Sequence, residues 1–296
     1  MYQVSQTLRN AIDNGTPQRV LLEFQDAVFS NEDIVVSTGI ELNEIFISDT
    51  DLTLGKCPSA EITFDLINED YRFENFGFGK FKAWLGARID SGTPPSGAKT
   101  KTFSGTEYDG LFEFSPLGTF IADKPDVVRK KILSITANDQ MTLFDVNMPS
   151  ASALGVNYAS LTIGGLASAM CAYLNVPLKS STFLNSTLTI GAEPEVFADS
   201  TMRQVLGWIA EAACCVARFN RDGQLEFAWF KTVNKTFDEH DYSDFTPSWY
   251  EVPVVDSLTV RNRDSEAESK RGTGNNAYLI QDNPFLRTAD SWDAQS

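Results

Sequence analysis

The sequence predicts an α+β fold that is mainly β, with a barrel-like antiparallel β domain at its start and a helix-plus-hairpin α+β domain inserted after it. A change of hydrophobic period carries that reading. Over roughly the first 140 residues, β-branched and aromatic residues gather in short runs bounded by Asn, Asp, Gly and Ser. Beyond residue 160 the apolar positions fall at helical spacing instead. A further observation is local: Asp222-Gly223, between two apolar runs, is a strong hairpin turn.

In chain order, Val4, Leu8 and Ile12 recur at every fourth position and predict a weak amphipathic helix over 3–13, ended by Asn14-Gly15. Residues 19–25 (RVLLEFQ), 34–36 and 61–67 (EITFDLI) follow as β-like runs. In the last, Ile62, Phe64 and Leu66 alternate with Glu61, Thr63 and Asp65, as in a strand with one face on a core and one in water. Residues 81–89, 111–121 and 131–139 are further strands. Between them, 90–106 is rich in Gly, Pro, Ser and Thr and reads as an exposed loop or hairpin tip, with Lys99 and Lys101 available to an inter-subunit or neighbour contact.

The middle of the chain is helical. Leu166, Met170, Tyr173 and Leu174 share a buried face, stopped at Val176-Pro177. A second helix has Ser200 or Thr201 as N-cap and carries Met202, Val205, Leu206, Ile209 and Ala213 on a core-facing stripe, which leaves Arg203 and Glu211 for solvent. The hairpin of 216–219 and 225–230 follows. Residues 254–264 then make a strand running into a charged loop, and 275–286 alternate into another strand, closed by a turn at Asn283-Pro284-Phe285 with a buried ring. Two strands cannot close a core alone, so this segment must pair with something else.

Composition narrows the function. The 296 residues include 24 Lys and Arg against 40 Asp and Glu, a net charge of −16, which repels phosphate backbones and argues against a nucleic-acid reader. With 42% hydrophobic residues and 21 Phe, the chain can build a packed core. Its start lacks the basic cluster and apolar run of a secretory leader, and no uninterrupted apolar stretch is long enough to span a bilayer. The cysteines Cys57, Cys171, Cys214 and Cys215 are scattered, as expected of free thiols in a reducing compartment. His240 is the single histidine, so no His–His zinc site can form. It sits in 238–244 (DEHDYSD), where carboxylates could gather around a hard cation, but the spacing is not that of a calcium loop and a solvated acidic loop is the simpler reading. Phosphate-loop, nucleophile-elbow, H-E-x-x-H and C-x-x-C patterns are all missing. No catalytic, cofactor-binding or metal-binding residue is nominated, and the chain is not expected to be an enzyme. Trp249, Tyr250 and Trp292 could stack on sugars, though aromatic side chains in a β-rich chain are more often core or interface.

Four segments, in order, resemble one family. Residues 32–70 contain L-x-L-G (52–55) and end on the alternating strand; 132–145 (ILSITANDQMTLFD) carry T-A-x-D-x-M-x-x-x-D. Residues 200–230 carry R-x-x-L-x-x-I-A and then R-D-G-x-L, and the last segment is TGNNAYLIQDNPFL. Together they resemble the tail hub proteins of bacteriophages and prophages, the superfamily of baseplate hubs and their tail-associated relatives. The resemblance implies barrel-like antiparallel β domains with an inserted helix-plus-hairpin α+β domain. Residues 1–140 would be the N-terminal hub domain, 141–245 the α+β domain, and 246–296 the start of a second β-barrel domain, incomplete here because relatives continue past the NPFL segment. It also implies a structural virion tail protein, made in the bacterial cytoplasm, that forms a ring with itself as a homotrimer. Its partners would be the tail tube, distal tail proteins and the tip or spike protein, with no cofactor and no membrane. DNA would pass through the lumen without specific binding, and an acidic wall suits such a conduit because it repels rather than holds phosphates. The alternatives are a cell-wall-degrading or a receptor- or carbohydrate-binding tail-tip protein.

Overall fold

The computed structural model describes residues 4–44, 54–69, 73, 76–89, 94, 96–104, 109–123, 126–129, 131–229, 255–261 and 268–286. His240 with its acidic neighbours, Trp249, Tyr250 and Trp292 lie outside them. The fold is mainly β with few helices, and the chain divides into two compact units: residues 1–45, 59–144 and 219–225, and residues 46–58, 145–218 and 226–296.

In the first unit a helix, α1 (Gln6–Asp13), precedes the strands β1 (Gln18–Phe24), β2 (Val28–Ser30), β3 (Ile40–Asn43), β4 (Glu61–Ile67), β5 (Lys80–Arg88), β6 (Lys99–Phe103), β7 (Gly110–Ala122), β8 (Asp126–Arg129) and β9 (Ile132–Asp139). They form one antiparallel sheet in the order β2-β1-β5-β7-β9-β4-β3, with β6 beside β7 and β8 beside β9. The sheet curls until its ends meet. Just beyond β2, the Asp33 carbonyl accepts from Ile67 N at 2.8 Å and Val35 N donates to Asp65 O at 2.9 Å, so the chain leaving one edge joins β4 near the other. The alternate residues of five strands point inward into a single apolar cluster that includes Leu22, Phe24, Phe64, Phe81, Phe120 and Ile135. Phe24 stacks on Phe81 at 4.5 Å between ring centroids, and Phe64 and Phe120 flank Phe81 at 5.8 and 5.9 Å.

Three local expectations are corrected here. Ser5 caps α1 by accepting from Leu8 N, but the helix buries Leu8 and Ala11 against Ala87 and Ile89, leaving Ile12 40% exposed. Residues 34–36 do not form a strand: Ile34 makes a single bridge to Leu66 before the chain turns. Lys99–Phe103, read as part of a loop, is a strand paired along β7, because its threonines and alternating side chains suit a pleated edge better than a coil.

The second unit contains α2 (Ala151–Leu154), α3 (Ile163–Tyr173) and α4 (Met202–Ala212), then most of the hairpin of β10 (Val216–Phe219) and β11 (Leu225–Ala228), whose tip counts with the first unit. The tip turns at Gly223 (φ +77°), whose carbonyl accepts from Gln140 Nε2 at 2.7 Å. Thr162 caps α3. Thr201, rather than Ser200, caps α4 in a reciprocal capping box with Gln204. The stripe Met202, Val205, Leu206, Ile209 and Ala213 is buried throughout, as the spacing predicts, whereas Tyr173 on α3 is 52% exposed. The last strands are β12 (Ser257–Arg261), β13 (Glu268–Gly272) and β14 (Ala277–Gln281), in the order β13-β12-β14. Here the expected charged loop contains β13, which returns antiparallel along β12 and lets β14 run parallel on its other side. Among the described residues no helix is long and apolar enough to cross a membrane.

Candidate functional site on helix α4

Arg203, Gly207 and Glu211 lie four residues apart and therefore on one face of α4. Sequence alone assigns Arg203 and Glu211 to solvent, but their face is packed against chain from remote parts of the second unit. Residues 54–57 cross it as a strap. Gly55 N donates to Cys215 O at 2.9 Å and Ala217 N to Lys56 O at 3.0 Å, so the strap runs beside the chain that leaves the helix. It crosses at a glycine pair. Gly55 has φ +74°, and a Cβ there would lie 2.8 Å from Gly207 O, while a Cβ on Gly207 would lie 2.9 Å from Gly55 O.

The ends of the same face make polar contacts. Arg203 Nε stands 3.2 Å from Asp145 Oδ1. At the other end, Asn283 Nδ2 donates to Trp208 O at 2.8 Å and to Glu211 Oε2 at 2.9 Å, and its Oδ1 accepts from Phe285 N at 3.0 Å. Leu54 N donates to Tyr278 Oη at 3.0 Å. Burial pushes the Glu211 carboxyl above its ordinary value, with the Asn283 hydrogen bond working against the rise, and burial also raises Tyr278. In the Asn-Pro-Phe turn the fully buried member is the asparagine, 7% exposed, while the Phe285 ring is partly buried against Phe197 at 6.0 Å. Between strap and helix lies a cleft of about 590 Å³, lined among others by Lys56, Cys57, Asp145, Arg203, Trp208 and Gln281.

The chemistry here is that of a joint. The four cysteines form no disulfide with one another. Burial pushes Cys57 and Cys171 up to about 12 and raises Cys215 as well, so at neutral pH these thiols are protonated and poor nucleophiles. Among the described residues no group of three or more His, Cys, Asp or Glu could hold a metal ion. In the first unit the motif residue Asp139 is likewise a structural carboxylate, accepting from Ser59 Oγ at 2.8 Å and from Ala60 N and Met141 N at 3.0 Å each. Lys99 does not stand free on a loop: it pairs with Glu23 and lies over the Trp84 ring at 4.4 Å, while Lys101 lies over Phe103 at 5.1 Å. The strap, Tyr278 and the role of Glu211 are not nominated by the sequence; the fourfold spacing of Arg203, Gly207 and Glu211 is the signal that could have found them.

No known family and no curated protein matches the chain by sequence. Solved structures similar to it include two tail proteins. The 43 kDa tail protein of prophage MuSo2 from Shewanella oneidensis is 10% identical, with a TM-score of 0.47 over 89% of this chain and 72% of that one. The tail protein from Neisseria meningitidis MC58 is 13% identical, with a TM-score of 0.41 over 93% of this chain and 69% of that one.

Proposed function

We propose that the chain is a structural, non-enzymatic tail protein of a bacteriophage or prophage, a hub that joins the tail tube to the tip or spike and lines part of the path of the DNA. One observation carries this reading: the segments that resemble the hub family are folded onto one another around α4. The L-x-L-G strap meets the R-x-x-L-x-x-I-A helix at Gly55 and Gly207, Asp145 at the end of the T-A-x-D-x-M-x-x-x-D segment pairs with Arg203, and the NAYLIQDNPF segment is held through Tyr278 and Asn283. Segments far apart in sequence that resemble one family in order, and that also pack together, are better explained by a shared architecture than by four chance similarities. The hub assembles as a ring with itself, a homotrimer, between the tail tube and the tip, and its net charge of −16 suits a wall that DNA passes without adhering.

The test is location. With a tag on this chain, electron microscopy of assembled particles should place the label at the distal end of the tail, and loss of the chain should leave tails without tips. Particles that lack the label, or that complete their tails without the chain, would overturn the proposal. Incubation with purified cell wall should release no soluble fragments; release would reassign the chain to a degradative role.

A further inference from the structure

The outer surface of the barrel unit is divided electrically. On β5, Lys80 and Lys82 alternate with the inward Phe81 and Ala83 and are both exposed. Lys82 faces Glu23 across the β1–β5 ladder, but the Glu23 carboxylate is taken by Trp84 Nε1 at 2.7 Å and by Lys99. Lys99 and Lys101, on β6, carry the positive sector over the rings of Trp84 and Phe103. Burial and the charge of Lys82 together hold the Lys80 amine below its ordinary value, as expected where cations crowd. Among the described residues neither Lys80 nor Lys82 has an ion-pair partner, and β6 pairs only with β7.

On the strands β3 and β4, toward the far end of the sheet path, the sign reverses. Glu61 and Asp65 alternate with the buried Ile62, Phe64 and Leu66, and Glu41 opposes Thr63 between them, so three carboxylates share the outward face. Their neighbours on β9 are Asn138, Thr136 and Ser134, which are neutral. Like charges side by side on a sheet cost stability, and each of these sectors carries that cost in the isolated chain. A chain with 40 acidic against 24 basic side chains has little reason to gather lysines on one sector unless something acidic covers them.

We infer that the lysine sector of β5 and β6 docks onto the carboxylate sector of β3 and β4 of a second copy of this chain. The two surfaces differ, so the contact is head-to-tail, the type that closes into a ring when the rotation permits. The inference rests on the ring-forming reading above and names the surfaces that would build it.

Charge reversal tests it. One variant carries Lys80→Glu, Lys82→Glu and Lys101→Glu; the other carries Glu41→Lys, Glu61→Lys and Asp65→Lys. Lys99 is left in place because Glu23 holds it. In sedimentation at low ionic strength the unmodified chain should be oligomeric, with self-affinity falling at least about tenfold in high salt. Each variant alone should be monomeric, and an equimolar mixture should associate again, because each supplies the sector the other has lost. A misfolded variant could not give that rescue, and the salt dependence of the unmodified chain stands without any variant. An unmodified chain that stays monomeric, or a mixture that fails to associate, overturns the inference. Oligomers indifferent to both variants overturn this interface but leave the hub reading intact, whereas absence of the chain from tails overturns the hub reading whatever the charges do.

Discussion

The barrel unit and the unit built around α4 are held together in different ways. The barrel buries many interchangeable rings, with Phe24, Phe64, Phe81 and Phe120 among the side chains that alternate strands send into one cluster. The α4 unit depends on a few contacts that allow no substitute: a glycine pair with no room for a Cβ on either member, an asparagine that bridges helix and turn, and a carboxylate held against its own burial. Apolar packing is non-directional and tolerates compensation, whereas a close backbone crossing or a buried polar bridge has one geometry. The barrel is therefore a scaffold that can absorb change at its surface, and the joint on α4 is where single substitutions should act as switches between a formed and an unformed unit.

The largest effect expected is nevertheless in the barrel, because of sheer volume. Phe81 is 1% exposed and touches three other rings, so Phe81→Ala should cost about 3–5 kcal/mol in urea denaturation. A loss under about 1 kcal/mol would mean that the core closes over the gap and that its rings are more interchangeable than alternation implies. Next comes the glycine pair. Gly55→Ala should cost about 3 kcal/mol, of which roughly 1–2 is the left-handed backbone and the remainder the overlap with Gly207 O and Glu211 Cβ at 2.8 Å. Gly15→Ala is the matched control, since Gly15 has φ +64° but a Cβ added there would meet nothing within 4 Å; it should cost only about 1 kcal/mol. Equal losses at the two glycines would remove the strap contact from the account.

Much of the barrel is legible in the sequence, for a physical reason. A strand with one buried face repeats every second residue, and EITFDLI shows that repeat over the whole of β4. The strands that escape the reading are short or polar: β2 has three residues, and Lys99–Phe103 and Glu268–Gly272 carry too little apolar signal to be told from loops. The α4 helix itself, its Thr201 cap and its buried stripe are likewise legible. The joint on its other face is not. Arg203 and Glu211 look solvent-bound because polarity is the only property visible before the fold is known, and nothing local says that residues 54–57 and 283 will cover them. The resemblance to hub proteins marks the segments that meet there, but only as a linear order.

A smaller effect separates polar bridging from packing at the joint. Asn283→Ala removes the donor to Trp208 O and Glu211 Oε2 and the acceptor of Phe285 N, and should cost about 1–3 kcal/mol. Asn283→Asp keeps the size but exchanges the donor for a second carboxylate beside Glu211, and should be at least as damaging at neutral pH. If Asn283→Ala is neutral, the turn is held by Phe285 against Phe197 and the asparagine is incidental.

The smallest expected effect has a sign that distinguishes the two units most sharply. Burial raises the Glu211 carboxyl above its ordinary value of 4.5, so in the window between the unfolded and folded values the native chain binds more protons than the unfolded one. Stability therefore falls as pH rises through that window, and above it the Glu211 carboxyl is a net cost. Glu211→Gln keeps an oxygen that accepts from Asn283 and removes the charge. Relative to the unmodified chain it should raise the thermal midpoint at pH 7, with the gain shrinking as pH falls toward 4.5 and vanishing below it. The substitution removes that one carboxyl and leaves every other group in place, so the pH profile of the difference between the two chains reports Glu211. A loss at pH 7 would show that the ionised hydrogen bond to Asn283 outweighs burial, and the joint would then be held by charge rather than in spite of it.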